Sequence, residues 1–199
     1  QADINYDTTL NVIEVQFHGE DIDASTVTNK ANYTFDGSAL PAGTTIEYDA
    51  NQIARIKLPA NSVVRDGNYS LTIKNVATKS GAKMLPTNVT VYNVADNTQP
   101  VMTAAKVTSD NTVEVTFDET LDVTAGPVTN AERNFKVIIN GVTFNVDSVA
   151  TKGTSTRTLV LTTVDTFDYS KGVKVTVDVD ASNDMFIEDV AGNKATSAT

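Results

Sequence analysis

Asn111-Thr112-Val113-Glu114-Val115-Thr116-Phe117 alternates apolar and polar side chains. A hundred residues earlier, Asn11-Val12-Ile13-Glu14-Val15-Gln16-Phe17 repeats it, with four of the seven positions identical. A period of two marks a strand with one buried face, so Val113, Val115 and Phe117 point one way and Glu114 and Thr116 the other. Recurrence at this spacing marks an internal repeat. Further matches follow in the same order. Val27-Thr28-Asn29 aligns with Val128-Thr129-Asn130, Asn32-Tyr33 with Asn134-Phe135, and Tyr69–Ile73 with Val173–Val177 in pattern. The offset grows by a residue or two at a time, as insertions in surface loops produce. The 199 residues therefore read as two homologous domains, 1–95 and 96–199, each of ordinary domain size. The polar stretch Asp96–Pro100 joins them, and its proline favours an extended connection.

Composition agrees with strands. Thr (30) and Val (26) make up more than a quarter of the chain, and both are stiff at χ1 and suited to a pleated surface. Alternation recurs at Tyr69, Leu71 and Ile73 and at Val173, Val175, Val177 and Val179, and less regularly over Ile53–Leu58. Asn140-Gly141 lies between two apolar runs and predicts a type I′ hairpin, with Asp36-Gly37 in the comparable place. No amphipathic helix exceeds about two turns, and one short helical turn is expected within Val123–Glu132. About seven short strands per hundred residues read as an all-β fold of two tandem immunoglobulin-like β-sandwich domains. With no Cys and no Trp, the core must be aliphatic, with Phe17, Phe117, Tyr33 and Phe135 as its aromatics.

The same composition excludes several functions. Without Cys there is no disulfide, thiolate nucleophile, iron–sulfur cluster or zinc finger. One His, His18, cannot build a multi-His metal centre and aligns with Asp118 just past a strand, where a turn residue is expected. No nucleophile elbow or phosphate-binding glycine loop occurs, so the chain reads as a non-enzyme. A net charge of −10 argues against nucleic acid. No apolar run is long enough to span a membrane.

The second unit strings together Val-Glu-Val-Thr-Phe-Asp-Glu-Thr-Leu-Asp (113–122), Asn134-Phe135, Lys171-Gly172 before a Val-rich strand, and a closing Asp189-Val190-Ala191-Gly192-Asn193. This series resembles the bacterial Ig-like repeats of surface-layer (S-layer) proteins from Gram-positive bacilli. The first unit carries the same series with two departures, His18-Gly19-Glu20 in place of the acidic turn and Lys79-Ser80-Gly81-Ala82 in place of the closing motif. The resemblance implies an extracellular structural protein of the cell wall. Its partners would be neighbouring domains and other copies of itself in a two-dimensional lattice, with Ca²⁺ as the cofactor that would stiffen it. Adhesin stalks and accessory binding modules of secreted proteins carry related repeats and form the alternative; a fragment of a polysaccharide-active enzyme is a more distant one. Against this pattern, Asn193–Thr199 reads as lacking part of the last strand, and Ala2–Tyr6 as shorter than Val101–Val107.

Calcium takes six to eight oxygens, from carboxylates, carbonyls and amide side chains. Asp118, Glu119 and Asp122 follow one strand, and Glu20, Asp21 and Asp23 follow its repeat partner. Asp178, Asp180, Asp184, Glu188 and Asp189 crowd the end of the second unit. The competing reading is that these acids are turn formers and solubilising charges, with Asp189 closing a turn and Gly192 at positive φ. Asn32, Asn68 and Asn88 begin Asn-x-Ser/Thr sequons. Tyr6, Tyr48, Tyr92 and Tyr169 are the loose candidates for stacking on a sugar.

Overall fold

The computed structural model describes residues 2–8, 10–19, 21–123, 130–170, 173–179 and 184–196. The chain divides into two compact units, Gln1–Thr98 and Gln99–Thr199.

In the first unit the strands are β1 (Ala2–Asp7), β2 (Val12–Phe17), β3 (Tyr33–Phe35), β4 (Ser38–Ala39), β5 (Thr45–Tyr48), β6 (Ile53–Lys57), β7 (Gly67–Ile73) and β8 (Thr87–Val94). They form two antiparallel sheets, ordered β1-β2-β6-β5 and β4-β3-β7-β8. Alternation places Ile13 and Val15 of β2, Ile56 of β6, and Leu71 and Ile73 of β7 in one core, each without measurable exposure. One helical turn, α1 (Ala24–Val27), starts where the Asp23 carboxylate accepts the Ser25 N–H. The β-branched run Thr26-Val27-Thr28 does not favour a longer helix.

The second unit contains β9 (Met102–Val107), β10 (Thr112–Phe117), β11 (Phe135–Ile139), β12 (Val142–Thr151), β13 (Thr158–Thr163) and β14 (Val175–Val179). Their ladder runs β14-β11-β12-β13-β10-β9. The long β12 serves both layers. Its first residues pair with β11, and after a register shift between Val146 and Ser148 its remainder pairs with β13. Val113, Val137, Leu161 and Val179 fill a separate core.

The all-β sandwich expectation holds, and the four proposed core aromatics are buried: Phe17, Phe117, Tyr33 and Phe135 are all at most 4% exposed. Both hairpins form as read, with Asp36 (φ 49°) and Gly37 (78°) in one and Asn140 (51°) and Gly141 (79°) in the other. Positive φ at both central residues defines the type I′ turn.

Four details differ from the sequence reading. Tyr33 pairs with Ile73 and Phe135 with Val179, so Tyr69–Ile73 corresponds to Val175–Val179, two residues later than the pattern suggested. A slip of two keeps every side chain on its own face, so alternation alone is blind to it. The initial strands β1 and β9 are equal in length, at six residues each. The helical turn before Asn134-Phe135 is a 3₁₀ turn at Ala131–Asn134, while residues 124–129, including Val128 and Thr129, lie outside the described residues. Finally, Asn97 and Thr98 are bound into the first unit. Buried Asn97 accepts the Ser62 and Val63 N–H groups on Oδ1, and the Thr98 hydroxyl donates to Val63 O at 2.7 Å.

Candidate functional site

Among the described residues, Asp118, Glu119 and Asp122 follow the end of β10 and Asp21 and Asp23 the end of β2, where Leu121 bridges to Asp189 and Ile22 to Thr78. In the second unit Asp118 is exposed and occupied by the backbone. Its Oδ1 accepts the Val101 N–H at 2.8 Å, its own N–H donates to Val101 O, and its carbonyl accepts from Arg157. Asp122 donates its N–H to Glu188 O at 2.9 Å, and Leu121 bridges to Asp189. Two candidates converge, because carboxylate oxygens of Glu119 and Asp189 lie within 4.8 Å of each other.

Asp189 is 2% exposed and engaged in its own turn. Its Oδ1 accepts the N–H groups of Ala191 and Asn193, both at 2.8 Å, and its Oδ2 accepts from the Asn193 amide at 2.9 Å. Gly192 at φ 87° lets the chain reverse beneath it. Glu188 bridges to Lys194 across the same turn. Asp184 is exposed, and its carbonyl accepts from the buried Asn134 amide. Asp178 lies on β14 opposite Lys136; Asp180 and Glu20 fall outside the described residues. The convergent pair supplies two carboxylates of the six to eight oxygens required, and the oxygens of Asp189 already hold backbone and amide hydrogens.

The first unit builds the same turn with other side chains. Thr78 N–H donates to Ala82 O and the Thr78 hydroxyl accepts the Ala82 N–H at 3.1 Å, while Gly81 takes φ 90°. Asp23 N–H donates to Ala77 O, as Asp122 does to Glu188 O. Lys79-Ser80-Gly81-Ala82 is thus the closing turn itself, with Thr78 standing where the second unit has Asp189. Asp23 is the α1 cap, and hydrogen bonds from the Ser25 hydroxyl and N–H hold its carboxyl below the usual range. Asp21 lies 3.7 Å from Lys79. His18 forms an exposed pair with Asp3 at 2.9 Å, and exposed pairs contribute little.

Buried asparagines are the feature that motif reading missed. Asn32 and Asn134 precede their strands at 6% and 0% exposure. Asn32 donates to Thr26 O; Asn134 donates to Asp184 O and accepts the Phe186 N–H. Each ties a loop to its sandwich, so Asn32 is occupied as a structural strut rather than presented as a sequon. The recurring Asn-Tyr/Phe pair was the available signal. Beside it Tyr33 donates its hydroxyl to Val27 O at 2.7 Å, and burial raises its phenol well above the usual range. Of the tyrosines considered for sugar stacking, Tyr92 (64%) and Tyr169 (46%) are exposed, while Tyr6 and Tyr48 are half-buried.

No family model matches the chain, and no curated protein matches it. Among solved structures, one similar to it is the N-terminal part of the bacterial S-layer protein SbsC, at 22% identity and a TM-score of 0.40. That match covers 50% of this chain and 22% of the S-layer chain. Another is the FN1–FN3 segment of chicken CNTN1, at 11% identity and a TM-score of 0.24, covering 100% of this chain and 64% of that one. No helix among the described residues is long and apolar enough to cross a membrane.

Proposed function

We propose that this chain is a pair of non-catalytic structural modules of a bacterial cell-surface layer, whose partners are neighbouring modules and other copies of itself. The observation that carries the reading is the repetition itself. One sequence pattern, used twice, gives two units that each enclose their own core, and at the ends of both the polar side chains serve turns and caps. Such units suit a repeated scaffold. The test is electron microscopy of the concentrated chain on a support, with and without millimolar Ca²⁺. Ordered two-dimensional arrays are expected; a chain that stays unassociated across divalent-ion conditions overturns the lattice reading.

Calcium enters this proposal only through the Glu119–Asp189 pair, where binding has to displace hydrogen bonds of the Asp189 turn. A Ca²⁺-dependent rise in the second unit's melting temperature is the expected signature, and an unchanged melt across the millimolar range removes calcium from the proposal. The exposed rings of Tyr92 and Tyr169 favour a second reading, a glycan-binding accessory module. Retention on a glycan array, lost in the Tyr92→Ala or Tyr169→Ala variant, would favour it over the lattice.

A further inference from the structure

The two type I′ hairpins share a backbone shape and differ in one functional group. Asp36-Gly37 joins β3 to β4, with φ 49° and 78°, and Asn140-Gly141 joins β11 to β12, with φ 51° and 79°. Asn140-Gly141 is the only Asn-Gly step in the chain. Both of its residues are exposed, as is Val142 after them at 56%. The Ile139–Val142 pair closes the turn. Among the described residues no acceptor takes the Gly141 N–H and no hydrogen bond holds the Asn140 side chain. A Cβ at Gly141 would meet nothing within 4 Å, so the main chain there has room to rearrange. Asn61-Ser62, another step with a small second residue, lacks this freedom, because Ser62 N–H donates to Asn97 Oδ1 at 3.0 Å.

We propose that Asn140 is a site of spontaneous covalent modification, deamidating through a ring closed on Gly141 and leaving isoaspartate at the tip of the β11–β12 hairpin. The Gly141 nitrogen attacks Asn140 Cγ and gives up its proton. The Cγ–Nδ2 bond breaks, and Nδ2 leaves as ammonia. Water then opens the succinimide. Its attack at Cγ yields aspartate; its attack at the main-chain carbonyl carbon of residue 140 yields isoaspartate. No electrons change hands, and the one co-reactant is water. Glycine has no Cβ to obstruct the ring closure. The Asp36 turn is the molecule's own control, because a carboxylate resists the same attack and has no ammonia to lose. Isoaspartate routes the backbone through Cβ, adding one carbon to a loop that two residues close. Ile139 beside it is 3% exposed and pairs with Val175 of β14 as well as with Val142. The lengthened turn therefore loosens a strand that two neighbours depend on. The inference stands apart from the lattice and calcium readings, since it needs neither a partner nor a cation.

The test is to age the intact chain at neutral and mildly alkaline pH in water carrying a heavy oxygen isotope. Trypsin then releases residues 137–152, and fragmentation in the mass spectrometer separates Asn140 from Asn145. Asn140 should lose NH and gain one labelled oxygen sooner than any other asparagine, as two products of equal mass, at a rate that rises with hydroxide. The isoaspartate form should exchange amide hydrogens faster in β11 and β12, with the first unit unchanged. Asn140→Asp, which keeps the ordinary backbone as Asp36 does, should not. Asparagine persisting at 140 while others convert overturns the inference. Aspartate without isoaspartate also overturns it, because direct hydrolysis needs no ring. An isoaspartate form that exchanges like the fresh chain overturns the loosening of the hairpin.

Discussion

The first unit interrupts its passage between layers, whereas the second runs straight through. From the Asp36-Gly37 turn the chain makes the two-residue β4, turns through Leu40–Thr44, and restarts as β5. From the equivalent Asn140-Gly141 turn, β12 continues for ten residues and shifts register without stopping. The interruption has a local cause. Pro41 lacks a ladder N–H, Gly43 sits at φ 92°, and Thr44 N–H and hydroxyl both return to Pro41 O. Yet Ile46 faces Ile56 in one unit as Val149 faces Leu161 in the other. The pair at Thr78 and Asp189 repeats this at the closing turn, where a hydroxyl and a carboxylate hold one backbone shape. The core positions are shared, and the chemistry between them varies freely provided the backbone groups are satisfied.

The strongest way to break this comparison is through the cores. Ile56→Ala and Leu161→Ala, both at fully buried matched positions, should each cost about 2–5 kcal/mol. Each should lower the stability of its own unit and leave exchange protection in the other unchanged. If either variant lowers both units equally, the separate cores do not behave separately.

The closing turns come next. Asp189→Ala leaves two N–H groups and an amide without their acceptor and should cost about 2–3 kcal/mol, against about 1 kcal/mol for Thr78→Ala. Equal losses by denaturant melting would show that the charge adds nothing beyond the hydroxyl. The smallest effect concerns the interrupted passage. Gly43→Ala adds a Cβ 3.5 Å from Pro59 with room to sit. Its cost of about 1 kcal/mol therefore reflects the left-handed backbone alone. A neutral result would mean that the loop relaxes to a conformation open to any residue.

The candidate site was legible only as residue types. Sequence spacing grouped the acids, but proximity in sequence does not say where a carboxylate points. Asp118 turns to Val101, Asp23 caps α1, and Asp189 folds back on its own loop. The bonds of Asp23 and Asp189 are local, because a short side chain reaches the backbone a few residues on, whereas Asp118 accepts from a residue seventeen positions away. Glu119 and Asp189 are seventy residues apart in the chain, so their approach followed from the Leu121–Asp189 bridge and from no local pattern.

The sequence by itself determined the repeat, the strand faces, both type I′ hairpins and the aromatic core, because alternation and turn residues act over a few positions. The tertiary structure alone decided the two-residue offset of β14, the identity of Thr78 with Asp189 as turn closers, and the struts at Asn32 and Asn134. The physical reason is common to all three. Pairing register and long-range acceptors depend on which distant backbone arrives opposite, and a period-two pattern fits more than one such partner equally well.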